Sequence, residues 1–266
     1  MMSRTLQLSD GSAARIIEAG EGEPLLLIHG VGMCAEAWMP QIEAFFADYH
    51  VIAVDMPGHG GTSPLPLTAR LPDFVAWAAR LVQALGLGPV NVAGHSMGAL
   101  VSAGLAVEHP DLVRRVALLN AVYRRSPEAS AAVVARADEL ARGEGTIDGP
   151  LARWFGDNQM SIRNKVARWL EQMDLQSYAT AYRSFAEGDS IYADRLDRIA
   201  CPALVLTGEG DQNSSPAMSR DMAARIPLGR EVIVAGHKHM VNLTAPYIVN
   251  DAMKEWLKSE VAHDRV

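Results

Sequence analysis

The chain has 266 residues, 49% of them apolar, enough for one large core with an inserted subdomain. Its net charge is −7 with both signs mixed, and no basic run exceeds Arg124-Arg125, so nucleic acid is not an expected partner. No apolar stretch approaches the roughly 20 residues that span a bilayer, the N-terminus lacks the apolar segment of a secretion signal, and Cys34 and Cys201 are too few for a disulfide framework. The expectation is a soluble cytoplasmic protein with no membrane partner.

Taken in chain order, residues 5–19 read as a hairpin turning at Ser9-Asp10-Gly11-Ser12. A buried strand follows at 24–28, then a helix over 35–46, a strand at 50–54 and a helix over 72–85. The apolar run Val90-Asn91-Val92-Ala93 leads into a helix over 97–108 that stops near Pro110, and another strand occupies 116–119. Strands alternating with helices of this length predict an α/β fold: a mostly parallel sheet with helices on both faces.

From 122 to 195 the strand rhythm disappears. Ser126-Pro127-Glu128 carries an N-cap, a proline and an acid in the order that opens a helix, here running to about Arg142. Ser161 is placed to cap a second helix over 162–173, and a third spans 176–187 and ends at Gly188. Strands return at 203–207 and 232–235. Residues 122–195 are therefore expected to form a helical cap over a core built from 1–121 and 196–266.

The chemistry is concentrated at strand ends, where open parallel sheets place ligands. Gly94-His95-Ser96-Met97-Gly98 sets a serine between two glycines at a strand-to-helix junction, the form of a nucleophile elbow. The sharp turn leaves no room for side chains two residues either side, and the following helix aims amide dipoles at the serine. His29-Gly30-Val31-Gly32 follows the 24–28 strand, Gly208-Glu209-Gly210-Asp211 follows 203–207, and Gly236-His237-Lys238-His239 follows 232–235.

These segments, with Asp55-Met56-Pro57-Gly58-His59-Gly60 and Pro246 seven residues beyond His239, resemble the α/β-hydrolase superfamily over nearly the whole chain. Within it the chain is most similar to the esterase, enol-lactonase and carbon–carbon hydrolase branch. The resemblance implies a catalytic triad in the order Ser96, Asp211, His239, with oxyanion donors at the backbone amides of Met97 and Val31, Gly32 being the alternative to Val31. Aligning on the terminal histidine selects His239 over His237 and puts Lys238 where the family usually has glycine. His29, His59 and His95 are expected to be structural.

Asp55 precedes the serine and is expected to bond local backbone, Glu209 to be a turn residue, and Asn120 carries no charge to offer. His237-x-His239 lacks the further ligands of a metal site, and no cofactor is implied. The helical segment supplies aromatic and arginine residues, with Trp154, Tyr178 and Arg124 as candidate substrate contacts for a small carboxylate-bearing ester or lactone. The expected activity is ester or lactone hydrolysis through an acyl-enzyme. A carbon–carbon bond hydrolase and a non-catalytic small-molecule receptor are the alternatives.

Overall fold

The inner strands of the central sheet are largely apolar and buried because helices cover both of its faces. A computed structural model describes residues 1–261. Its strands are β1 (Met2–Gln7), β2 (Ala13–Ala19), β3 (Glu23–Ile28), β4 (Tyr49–Val54), β5 (Val90–His95), β6 (Val113–Leu119), β7 (Ala203–Gly208) and β8 (Gly229–Val234). They form one sheet in the order β1-β2-β4-β3-β5-β6-β7-β8. The β1–β2 and β2–β4 pairs are antiparallel and all later neighbours are parallel.

The helices are α1 (Met39–Phe45), α2 (Leu71–Leu85), α3 (Met97–Glu108), α4 (Pro127–Ala141), α5 (Asp148–Trp154), α6 (Met160–Glu171), α7 (Leu175–Ala186), α8 (Pro216–Arg225), α9 (Val241–Thr244) and α10 (Pro246–Leu257). Side chains alternate across β3. Leu25 and Leu27 pack with Trp38, Phe45, Val249 and Trp256, while Leu26 and Ile28 pack with Phe74, Trp77 and Val101 on the opposite face. Each fully buried leucine is worth about 2 kcal/mol of apolar transfer, so the sheet makes a stiff base for the loops at its carboxyl ends.

Several local expectations change. The helix expected over 35–46 is a 3-10 turn, Ala35–Trp38, followed by α1, because Pro40 in the first turn of α1 has no N–H to continue the preceding turn. Ser161 lies inside α6, which begins at Met160 without a side-chain cap. Ser126 does cap α4, its Oγ accepting from the Ala129 amide at 3.2 Å. The strand reading contains neither α8 nor α10, yet Ser215-Pro216 repeats the Ser126-Pro127 opening signal, with Ser215 Oγ accepting from Met218. Four helices, α4 to α7, lie between β6 and β7.

Candidate active site

Ser96 sits at φ +54°, ψ −115°, a backbone state that costs a non-glycine residue about 1–3 kcal/mol. Neighbouring strands impose it. The Ser96 amide donates to Leu119 O on β6 at 2.8 Å, and α3 starts at once with Met97. A Cβ on Gly94 would lie 2.1 Å from Gly98 O, and one on Gly98 would lie 2.2 Å from Ile28 O. Only glycine fits at either position, which is the physical content of the Gly-x-Ser-x-Gly pattern.

Asp211, past the end of β7, has every lone pair engaged. Its Oδ1 accepts from the Asn213 and Ser214 amides at 2.8 and 3.1 Å, and its Oδ2 accepts from Asn120 Nδ2 at 2.8 Å. His239 Nδ1 lies 2.8 Å from the same Oδ2. Burial alone would raise the Asp211 pKa, but the His239 charge and these donors together hold it below the usual carboxylate range. His239 Nδ1 therefore carries the proton, leaving Nε2 as the acceptor. His237 turns elsewhere, its Nδ1 3.0 Å from Thr244 Oγ1.

Three other histidines frame the site in the neutral form. Burial pushes the pKa of His29 down to about 4 and those of His59 and His95 to about 3. His95 Nε2–H donates to His239 O at 2.9 Å and fixes the backbone of the candidate base. His29 Nε2 accepts from the Met56 amide, and His59 Nε2 accepts from the Gly32 amide, both at 2.9 Å. The second bond distinguishes the two candidate oxyanion donors: the Gly32 N–H is engaged with His59, while Val31 lines the cavity beside Ser96. Asp55 accepts from the Gly61 amide in its own turn, as expected, but it also accepts from the distant Ala35 amide and pairs with Arg15 at 2.8 Å.

Gly30, Val31, Ser96 and His239 open onto a cavity of about 480 Å³. Its other walls come from the segment between β6 and β7, with Arg125, Arg136, Arg153, Trp154, Tyr182 and Phe185, and from Gln212 and Asn213 beside Asp211. Of the three candidate substrate contacts, Trp154 lines this cavity and also stacks on the His239 imidazole, with ring centroids 5.7 Å apart.

Arg124 and Tyr178 are not among the lining residues, and each is replaced by a near neighbour. Arg124, at φ +45°, turns away to an exposed ion pair with Asp194, and Arg125 faces the cavity instead. Tyr178 packs against Gly32 and edge-on against Tyr182, which is the tyrosine that reaches the cavity. Arg125 is buried against Asp189 at 3.3 Å, and its Nη2 has no hydrogen-bond partner among the described residues. The sequence reading missed Asn120, whose uncharged amide serves as a donor to the acid.

A core-borne serine, an acid-bound imidazole and a backbone cradle at the ends of a mostly parallel sheet define a hydrolase of the α/β class. The chain belongs to the alpha/beta hydrolase fold family, which matches residues 23–246. It is 52% identical over 261 residues to the (E)-2-((N-methylformamido)methylene)succinate hydrolase of Acinetobacter baylyi, covering 97% of this chain and 99% of that one. A thermophilic esterase from Thermogutta terrifontis, solved with malate bound, superposes with a TM-score of 0.87 at 25% identity, covering 97% of this chain and 98% of that one. The enol-lactonase from Burkholderia xenovorans LB400 gives 0.87 at 24% identity, over 96% and 100% of the two chains. No described helix is long and apolar enough to cross a membrane.

Proposed function

We propose that this protein is a serine hydrolase that cleaves an acyl bond in a small carboxylate-bearing substrate, with residues 122–195 acting as a cap over a core of 1–121 and 196–266. Ser96 is the nucleophile, His239 the base and later the acid, and Asp211 the group that orients the imidazole. The Val31 and Met97 amides receive the oxyanion. The observation that carries this reading is one cavity with Ser96 and the Asp211-bound His239 on one wall and Arg125, Arg136, Glu139 and Arg153 on another. On that second wall Arg125 pairs with Asp189, Arg136 pairs with Glu139 and Arg153 has no ion pair among the described residues.

As Ser96 Oγ bonds to the acyl carbon, His239 Nε2 takes its proton, and Asp211 stabilises the imidazolium without being protonated. The imidazolium then protonates the leaving atom, the acyl bond breaks, and water activated by His239 releases the acid. Each backbone oxyanion donor is worth about 100- to 1000-fold in rate. No step calls on a cofactor.

The expected ester or lactone bond belongs to a wider class. The substrate in the Acinetobacter enzyme's name is a succinate bearing a formyl group on a nitrogen attached to an alkene carbon. That nitrogen's lone pair is drawn through the alkene toward a carboxylate, which weakens amide resonance and improves the leaving group. An enol ester or enol lactone likewise expels a heteroatom borne on an alkene. We therefore favour an acyl group on a vinylic nitrogen or oxygen, in a molecule whose carboxylates meet the cationic wall.

The test is turnover of (E)-2-((N-methylformamido)methylene)succinate, 3-oxoadipate enol-lactone and p-nitrophenyl acetate by wild type and Ser96→Ala. Preference for the two carboxylate-bearing substrates, abolished in the variant, is the expected result. Equal turnover by wild type and variant would remove Ser96 from the mechanism. Preference for the neutral ester would remove the carboxylate.

A further inference from the structure

Lys238, immediately before the candidate base, occupies a loop whose backbone is held from several directions. His95 Nε2–H donates to His239 O at 2.9 Å, and the Gly210 amide donates to His237 O at 2.9 Å. A Cβ on Gly208 would lie 2.2 Å from Lys238 O, so the end of β7 and this loop touch backbone to backbone. The Lys238 stem lies across Gly210, with Cγ 3.5 Å from where a Cβ would stand. The ammonium group therefore extends from a fixed base.

It reaches the inserted helices. Lys238 Nζ donates to Phe155 O at 3.0 Å. Phe155 follows the last residue of α5 as its C-cap, in extended backbone at φ −122°, ψ 151°, so the ammonium stands beside the carboxyl end of that helix, where a cation is favoured. One residue earlier, Trp154 is buried with its ring tilted 31° to the His239 imidazole, and its Nε1 has no hydrogen-bond partner among the described residues. No hydrogen bond of its own anchors the indole. A seven-residue helix such as α5 cannot hold its shape unaided.

We propose that Lys238 is a positioning residue that latches α5 to the catalytic loop and so holds Trp154 against His239. The inference rests on the reading that 122–195 caps the site. With the latch made, the indole covers one face of the imidazole, and its π-face attracts the imidazolium formed during acyl transfer. With the latch broken, the end of α5 lifts and the base loses that cover while its bond to Asp211 remains.

The test compares wild type, Lys238→Met, which keeps the stem and removes the ammonium, and Lys238→Arg, which keeps the donor and the charge. Amide hydrogen exchange over 148–159 is expected to quicken about tenfold in Lys238→Met, the scale of a hydrogen bond to a charged group. Exchange in β5 and β6 is expected to be unchanged, and Lys238→Arg should restore the protection. In parallel, kcat for p-nitrophenyl acetate should fall in Lys238→Met and recover in Lys238→Arg.

Unchanged exchange over 148–159 would overturn the latch, as would quickening spread equally through β5 and β6. A displaced acid limb of the kcat/KM–pH profile with exchange unaltered would also overturn it, because the ammonium would then act on the base through its charge. Exchange is read without substrate, so failure of the hydrolase reading, seen as no turnover by wild type, is distinguishable from failure of the latch.

Discussion

Replacing Ser96 by glycine removes the proposed nucleophile and should stabilise the protein. At φ +54°, ψ −115°, residue 96 stores about 1–3 kcal/mol as long as it carries a Cβ. Glycine releases that strain but frees the unfolded chain, at a cost of about 0.4–1 kcal/mol. The surplus is about 1 kcal/mol, or about 2 °C in Tm for a domain of this size. Alanine is the proper reference, because Ser96→Ala also removes the hydroxyl yet leaves a Cβ in the strained backbone. Urea titrations with equal slopes should place Ser96→Gly above Ser96→Ala, with neither variant hydrolysing substrate. A Ser96→Gly midpoint at or below that of Ser96→Ala would show that no strain is stored at the elbow.

The glycines around the elbow should behave unlike one at a helix end. Gly98→Ala places a Cβ 2.2 Å from Ile28 O on a central strand, and should cost more than about 3 kcal/mol or prevent folding, whereas Gly86→Ala, with nothing within 4 Å but a φ of +65°, should cost about 1 kcal/mol in the same titration. His95 is held neutral with its pKa lowered to about 3, so the unfolded chain takes up that proton first, and stability falls as the pH drops from about 6.5 toward 3 by up to ~1.4 kcal/mol per unit. His95→Gln keeps a donor for His239 O and should flatten that slope by up to one proton; an unaltered slope in denaturant titrations between pH 7 and 4.5 would refute the assignment. Arg153 is exposed at the cavity and forms no ion pair among the described residues, so Arg153→Gln should leave folding intact. It should lower kcat/KM about tenfold for a dicarboxylate and little for p-nitrophenyl acetate; equal losses on both substrates would separate the charge from recognition.

The sheet and the residues at its ends were legible because one physical pattern carries both. An apolar run ending in glycine and a polar group marks a buried strand that emerges at the ligand edge, and 24–28, 90–93, 203–207 and 232–235 all read this way. The inserted helices were less legible. Amphipathic spacing identifies a buried stripe but not which member of it reaches a cavity, and Tyr178 and Tyr182 share one stripe of α7 with only the second on the wall. Arg124 and Arg125 are adjacent in sequence, and a left-handed backbone at Arg124 sends the pair in different directions. No composition rule announces that turn. Asn120 escaped because it was weighed as a source of charge, whereas its contribution is an N–H to the Asp211 carboxylate.

The division between sheet and insertion also bears on how one core could serve esters and vinylic amides alike. On our reading the oxyanion cradle is set by Gly30, Gly94 and Gly98, which press the end of β3 against the turn between β5 and α3, contacts that involve no residue of 122–195. An ester and an amide differ chiefly in how late the leaving atom must be protonated, and in the proposed mechanism that proton comes from His239. On our reading, His239 is fixed from below by Asp211 and His95, residues of the core, while its ring is covered by Trp154 from the insertion. The insertion can then alter proton transfer at the base while leaving the oxyanion cradle as it is. Changing Trp154 should accordingly affect the amide, whose nitrogen requires the proton before it departs, more than an activated ester such as p-nitrophenyl acetate, whose phenolate leaves without it. Equal losses on the two substrates would place the role of Trp154 in binding and not in proton transfer.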